Sequence, residues 1–237
     1  MKIDYVLMGS TTDPFYLDFW PIVSKIWKEV FNITPILGLM TDKETELYES
    51  EYGYIKEFKT YGNINVGSQS QYVRMYLSKF LKGNCIISDI DIIPLSKQYF
   101  ISDLIEYSDD DLIIMSSHHE QTRNINQYPM CYVVGNSKTF NNVFNTDLEW
   151  DVFVKKVYES SDEKWFSDQV FLYNSIKSYG FDNVKFPVRS FNNDRVDRSY
   201  WSYNCNLVKE GIYIDSHLLR PYKEFENEIN ELIKCLV

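Results

Sequence analysis

The chain has 237 residues, 44% of them hydrophobic, which suits one large domain able to bury a substantial core. Its formal net charge of −10 argues against nucleic acid as a partner, since phosphate backbones call for a basic surface. That balance still leaves room for a phosphorylated small molecule at a locally positive site, or beside a bound divalent cation.

The opening stretch MKIDYVLMGSTTD has no long apolar run and no small-residue cleavage site, so no signal peptide is expected. No apolar run reaches the length of a transmembrane segment. Cys85, Cys131, Cys205 and Cys235 are far apart, with neither a CxxC pair nor zinc spacing. The expectation is four free thiols in a reducing compartment and a cytoplasmic location. The 16% aromatic content, with 19 tyrosines, is accounted for mainly by core packing.

In chain order, KIDYVLM reads as a first strand closed by the polar loop GSTTDP at 9 to 14. A helical stretch follows to about Val30, with Pro21 at a helix start or a break. TPILGLM (34 to 40) and YIKEF (54 to 58) are the next strands. Val73, Tyr76, Leu77, Phe80 and Leu81 then follow the i, i+3, i+4 spacing of an amphipathic helix. NCIISDIDIIPLS (84 to 96) reads as a buried strand carrying two acids, followed by a helix around 97 to 107. DLIIMSS (111 to 117) and MCYVVG (130 to 135) are strands, and 147 to 159 and 168 to 179 are helices. Ser167 is expected to cap the second of these and Gly180 to end it. GIYID (211 to 215) is a late strand, and Phe225, Ile229, Leu232, Ile233 and Leu236 mark a docking helical face at the end. Strands alternating with helices give an α/β domain on a mixed, mostly parallel central sheet flanked by helices.

Asp89 and Asp91 stand out in the segment built for burial. On a strand they would share one face, roughly 7 Å apart. At an effective dielectric near 20 their repulsion would cost about 2 kcal/mol. One carboxylate protonated, solvation at the strand end, or a cation between them would each offset that cost. Pro94 places the pair at the carboxyl end of its strand, where ligands gather in open α/β sheets. Carboxylate oxygens there suit Mg2+ or Mn2+.

The stretch SQYVRMYLSKFLKGNCIISDIDIIPLS resembles the GT-A-fold glycosyltransferases, in which an Arg-bearing helix leads into an apolar strand ending in D-x-D. It is most similar in pattern to the retaining family-8 type, the group that includes glycogenin. The resemblance implies a single GT-A (Rossmann-like) domain, with a nucleotide-binding part over about residues 1 to 95 and an acceptor-side part over about 96 to 237. It implies transfer of a sugar from a nucleoside diphosphate donor, a UDP-sugar first, to a carbohydrate hydroxyl, with Mn2+ or Mg2+ as cofactor and retention at the anomeric carbon.

For the residues, the resemblance implies Asp89, Asp91 and His217 as metal ligands. It puts Ser10, Thr11, Thr12, Arg74, Ser88, Asp89 and Arg220 on the nucleotide sugar. Asp168 and Gln169 of WFSDQ fall in the sugar pocket, where with Arg74 they form the catalytic set. HLLRPY departs from the family's H-x-x-G-x-x-K-P-W: the Gly and Lys are missing, and Arg220 stands where the family uses Lys.

Each residue has a plainer account. Arg74 also reads as an ordinary surface arginine, which spacing does not exclude, and an acid at 168 favours a helix dipole wherever it occurs. His118 and His119 are surface residues or meet an acceptor. Residues 192 to 201, with Arg195, Asp197, Arg198 and Trp201, form an acceptor-binding segment or a salt-bridged loop. Two rival functions stand beside the transferase. A haloacid-dehalogenase-type phosphatase also has D-x-D, but after its first strand. A sugar-nucleotide-binding protein without catalysis is the other, which fold-level resemblance does not separate.

Overall fold

A computed structural model of the chain describes residues 1–116, 126–179, 183–187 and 194–236. His118, His119 and Gly180 lie outside the described residues, as do 192 and 193 of the segment before Arg195. The strands are β1 (Tyr5–Thr11), β2 (Thr34–Thr41), β3 (Tyr48–Glu49), β4 (Tyr54–Lys59), β5 (Asn84–Ile87), β6 (Ile92–Pro94), β7 (Leu112–Ile114), β8 (Val133–Asn136), β9 (Val184–Lys185), β10 (Arg195–Asp197) and β11 (Asp215–His217). Among the described residues, eight form one sheet in the order β3-β4-β2-β1-β5-β8-β7-β9, and three form a second, β10-β11-β6. In the large sheet β4, β2, β1 and β5 run parallel, while β3 and β8 run against their neighbours.

Alternation along the central strands feeds two cores. Val6 and Met8 of β1, Leu37 of β2 and Ile86 of β5 pack on one face, with Trp27, Phe100 and the C-terminal helix Glu226–Leu236. Leu7, Ile36 and Ile87 pack on the other. There they meet the helices Val66–Tyr76, Ser137–Phe144, Trp150–Tyr158 and Ser167–Tyr179. The C-terminal helix docks as its pattern predicts, with Ile229 and Leu232 fully buried.

Several expectations need correction. The segment 84 to 96 is not one strand: β5 stops at Ile87 and β6 resumes at Ile92 in the other sheet. Asp89 and Asp91 therefore lie in a turn, closed by the Ile92 N–H donating to Asp89 O at 3.4 Å, and strand alternation does not set their directions. Pro94 sits in β6, an edge strand, where a missing N–H is tolerated. β1 runs on to Thr11 because β2 keeps pairing it, Gly9 with Gly38 and Thr11 with Met40. β8 starts at Val133, since Tyr132 has φ 66° and no strand residue adopts that.

Other differences are at helix ends and cysteines. Helical structure between Pro14 and Val30 is interrupted at Asp18 and Phe19, and Pro21 lies in the first turn of the Trp20–Lys25 helix. The expected helix at 97 to 107 is one wide turn, Gln98–Ser102. Ser167 belongs to its helix, and its hydroxyl donates back to Lys164 O at 3.0 Å. The late strand is β11, so His217 is on it rather than after it. Cys205 and Cys235 form a disulfide, with Cα atoms 5.2 Å apart, and only Cys85 and Cys131 are free. The cysteine argument for a reducing compartment is thereby lost. Among the described residues no helix is long and apolar enough to cross a membrane.

Candidate active site

A cavity of about 880 Å³ opens at the carboxyl ends of β1 and β5. β1 and the turn after it contribute Ser10, Thr11, Thr12 and Asp13. The Val66–Tyr76 helix contributes Val66, Gly67, Ser70, Gln71 and Arg74, whose spacing puts them on one helical face. The turn after β5 brings Asp89 and Asp91, and the segment before β8 brings Cys131. Trp165, Asp168 and Gln169 come from the start of the Ser167–Tyr179 helix and the turn before it, and Arg198, His217 and Arg220 from the small sheet and its flanks. All the predicted site residues but one meet here. Ser88 is fully buried and outside the cavity wall, and its N–H donates to Leu7 O at 3.0 Å, anchoring the base of the acid turn.

Arg74 is buried and holds two carboxylates in its fork. One Nη donates to Asp89, the other to Asp168 Oδ2 at 2.8 Å, and Nε donates to its own helix at Gln71 O. Burial works against the guanidinium charge, but Asp89 and Asp168 outweigh it and push the Arg74 pKa above its ordinary value. The two acids diverge. Burial raises Asp89, yet the charge and hydrogen bond of Arg74 bring it below the usual carboxylate range. In Asp168, only 1% exposed, burial prevails over the same arginine and the pKa is raised.

The second cluster centres on Asp91, and strand register assembles it. β11 pairs antiparallel with β6, placing His217 opposite Ile92, one residue past Asp91. β10 pairs parallel with β11, placing Asp197 opposite His217 and Arg198 one residue further. Asp91 Oδ2 accepts from Arg198 Nη2 at 2.9 Å, with His217 Nε2 at 3.5 Å and Arg220 Nη1 at 3.7 Å. Burial lowers the His217 pKa, against the pull of Asp91, which favours the neutral imidazole that a metal ligand must present. Its Nδ1 faces Asp197 Oδ2 at 3.7 Å.

A carboxylate and a neutral imidazole on one wall suit a divalent ion. Asp91 and His217 fit that role. Each carboxylate already accepts from an arginine, Asp89 from Arg74 and Asp91 from Arg198 through Oδ2. Among the described residues no three His, Cys, Asp or Glu side chains stand close enough together to hold an ion by themselves.

Some wall residues carried no local signal in the sequence. Tyr16 accepts from Arg220 Nη1 through its hydroxyl at 2.8 Å, and the Arg220 guanidinium lies 5.3 and 5.4 Å from the ring centres of Phe15 and Tyr16. Trp165 is 62% exposed on the cavity wall. Cys131 faces the cavity with its thiol pushed well above the ordinary pKa by burial. Gln71 Oε1 and Arg198 Nη1 are buried polar atoms with no hydrogen-bond partner among the described residues.

The chain is similar to several solved structures. The apo form of the glycosyltransferase GlyE from Streptococcus pneumoniae TIGR4 overlays 99% of this chain on 62% of its own, with a TM-score of 0.52 and 13% identity. A second GlyE structure gives 0.49 and 12%, over 100% of this chain and 62% of its own. A galactosyltransferase, LgtC, solved with donor and acceptor sugar analogs, gives 0.47 and 14% over 100% and 96%. The chain thus spans 62% of the length of GlyE. No protein-family model and no curated protein matches it. At these identities the likeness is one of fold: the mixed, mostly parallel sheet flanked by helices is that of the GT-A glycosyltransferases.

Proposed function

We propose that the protein is a glycosyltransferase that moves a sugar from a nucleoside diphosphate donor, UDP-sugar first, to a carbohydrate hydroxyl with retention. The observation that carries this reading is the convergence of the acid turn, the Arg74–Asp168 pair and the His217–Arg220 stretch on one cavity at the strand ends. The GT-A fold of GlyE supports it as fold and no further. The cavity draws on residues before 95 and after 96 alike, in keeping with one domain whose first part takes the nucleotide and whose second part takes the acceptor.

In this reading Ser10, Thr11 and Thr12 meet the nucleoside, and Arg220 the diphosphate. Asp91 and His217 would hold Mn2+ or Mg2+, which when bound supplies Lewis-acid stabilisation of the leaving group. Arg74 fixes Asp89 and Asp168 relative to each other, so that Asp168 and Gln169 orient the sugar beside the scissile bond. In front-face retention the acceptor proton passes to the departing diphosphate oxygen, and no side chain has to serve as base.

The test is calorimetric titration of UDP with and without Mn2+ into the wild type and Asp91→Ala. Mn2+ should tighten binding to the wild type by tenfold or more, in the range of one lost charged contact, and Asp91→Ala should abolish that gain. Equal binding in both proteins would overturn the metal assignment. Binding without transfer or donor hydrolysis would leave a sugar-nucleotide-binding protein.

A further inference from the structure

We propose that Arg198 grips the donor's diphosphate directly, so that the site keeps part of its diphosphate affinity without a metal ion. The proposal rests on the donor reading above and adds a residue to it.

The first support is a division of charge across the cavity wall. At Arg74 one guanidinium faces two carboxylates, Asp89 and Asp168. At Asp91 one carboxylate faces two guanidiniums, Arg198 and Arg220. Guanidinium is thus concentrated at Asp91, with Asp197 further off beyond His217, whereas at Arg74 carboxylates outnumber the single guanidinium. Glycosyl transfer develops positive charge at the anomeric carbon and negative charge on the diphosphate oxygens. The two clusters match that polarity when the diphosphate lies against Arg198 and Arg220 and the sugar against Asp168.

The second support is an unused donor. Arg198 gives Nη2 to Asp91, while Nη1 is buried with no hydrogen-bond partner among the described residues. A buried guanidinium N–H left without an acceptor is costly, and an anionic phosphate oxygen is the acceptor its planar fork matches best. Arg220 is less free, because Tyr16 takes its Nη1.

The third support is a fixed base for the side chain. Arg198 directly follows β10, where Arg195 clamps Asp215 through two hydrogen bonds of 2.6 Å. Asp197 is paired in register with His217, and its carboxylate accepts from Ser199 N–H at 2.8 Å. Asp91 then holds the guanidinium in place before any ligand arrives, so little ordering is left to be done on binding.

The experiment is calorimetry of the full chain in EDTA with four probes: uridine, UMP, UDP and inorganic pyrophosphate. Arg198→Gln should weaken UDP and pyrophosphate by about ten- to a hundredfold and leave uridine unchanged. Arg198→Lys keeps the charge without the fork and should recover only part of the loss. It also serves as the readout should the Gln variant fail to fold. If the wild type binds UDP and both variants bind it equally well, the Arg198 assignment falls while the donor reading stands. If the wild type binds pyrophosphate through Arg198 but shows no preference for UDP, Arg198 stands and the nucleotide reading falls. A wild type that binds neither UDP nor pyrophosphate in EDTA overturns the proposal.

Discussion

Arg74 lowers the pKa of both carboxylates it joins, yet the two values end on opposite sides of the usual range. Asp168 keeps less water and feels Asp89, while Asp89 also feels His217 and Arg195. The Asp89 side chain retains 36% exposure and stays ionised beside the guanidinium. Asp168, at the buried end of the same fork, has its pKa raised by desolvation against the pull of Arg74. Asp168→Asn keeps the shape and an acceptor for Arg74 while removing the charge. It should slow transfer by on the order of 100-fold through lost positioning at the reacting centre, and shift the UDP dissociation constant little. Steady-state kinetics beside UDP titration separates these effects, and proton NMR of the first product should show the donor's anomeric configuration. Unchanged kinetics would reduce Asp168 to a helix-dipole partner. At this scale the sequence was most legible where residue type was unusual for its setting, as with acids in an apolar run. Arg198 was legible only as part of a charged segment, whose arginines do form salt bridges. Its place beside Asp91 depends on the registers of β10 on β11 and of β11 on β6.

Packing of the Val66–Tyr76 helix on β1 and β2 fixes where Arg74 stands, and two glycines permit it. A Cβ on Gly38 would lie 2.7 Å from both methyls of Val73, and one on Gly9 would lie 1.8 Å from the backbone O of Ser70. No rotamer change relieves a clash with backbone, so the whole helix would have to move away from β1. Gly9→Ala should therefore cost about 1–3 kcal/mol, as overpacked cores do. It should also weaken UDP binding, because Ser70, Gln71 and Arg74 move with the helix. Urea unfolding and calorimetry read the two effects, and wild-type stability in this variant would refute the close packing. Periodicity revealed the helix and the apolar strands but not where the 84 to 96 run changes sheets. Ile87 and Ile92 both suit a buried strand, and only their partners, β1 and β8 for β5 and β11 for β6, show that the chain turns between them.

Across the whole molecule, the cavity depends on bringing the last fifth of the chain back to a turn near its middle. β11, with His217, pairs with β6, and the Leu218 N–H donates to Asp91 O at 2.9 Å to extend that ladder. Three-residue strands give such pairing little strength of their own. The Cys205–Cys235 disulfide spans the segment that contains β11 and Arg220, tying the Cys205–Lys209 helix to the C-terminal helix across a sequence separation of 30. A cross-link of that length contributes about 3–4 kcal/mol in the chain-entropy account. For a domain of this size that corresponds to roughly 10 °C in melting temperature. Dithiothreitol should lower the wild-type melting temperature by about that amount. Cys205→Ser should show the same loss without reductant and no further loss with it. Binding of UDP should weaken in parallel, since His217 and Arg220 lie within the released segment. Uridine binding should be largely spared, because the wall proposed for the nucleoside, at Ser10 and Thr11, lies outside it. A wild type whose melting curve is indifferent to reductant would mean that the small sheet holds His217 and Arg220 in place unaided.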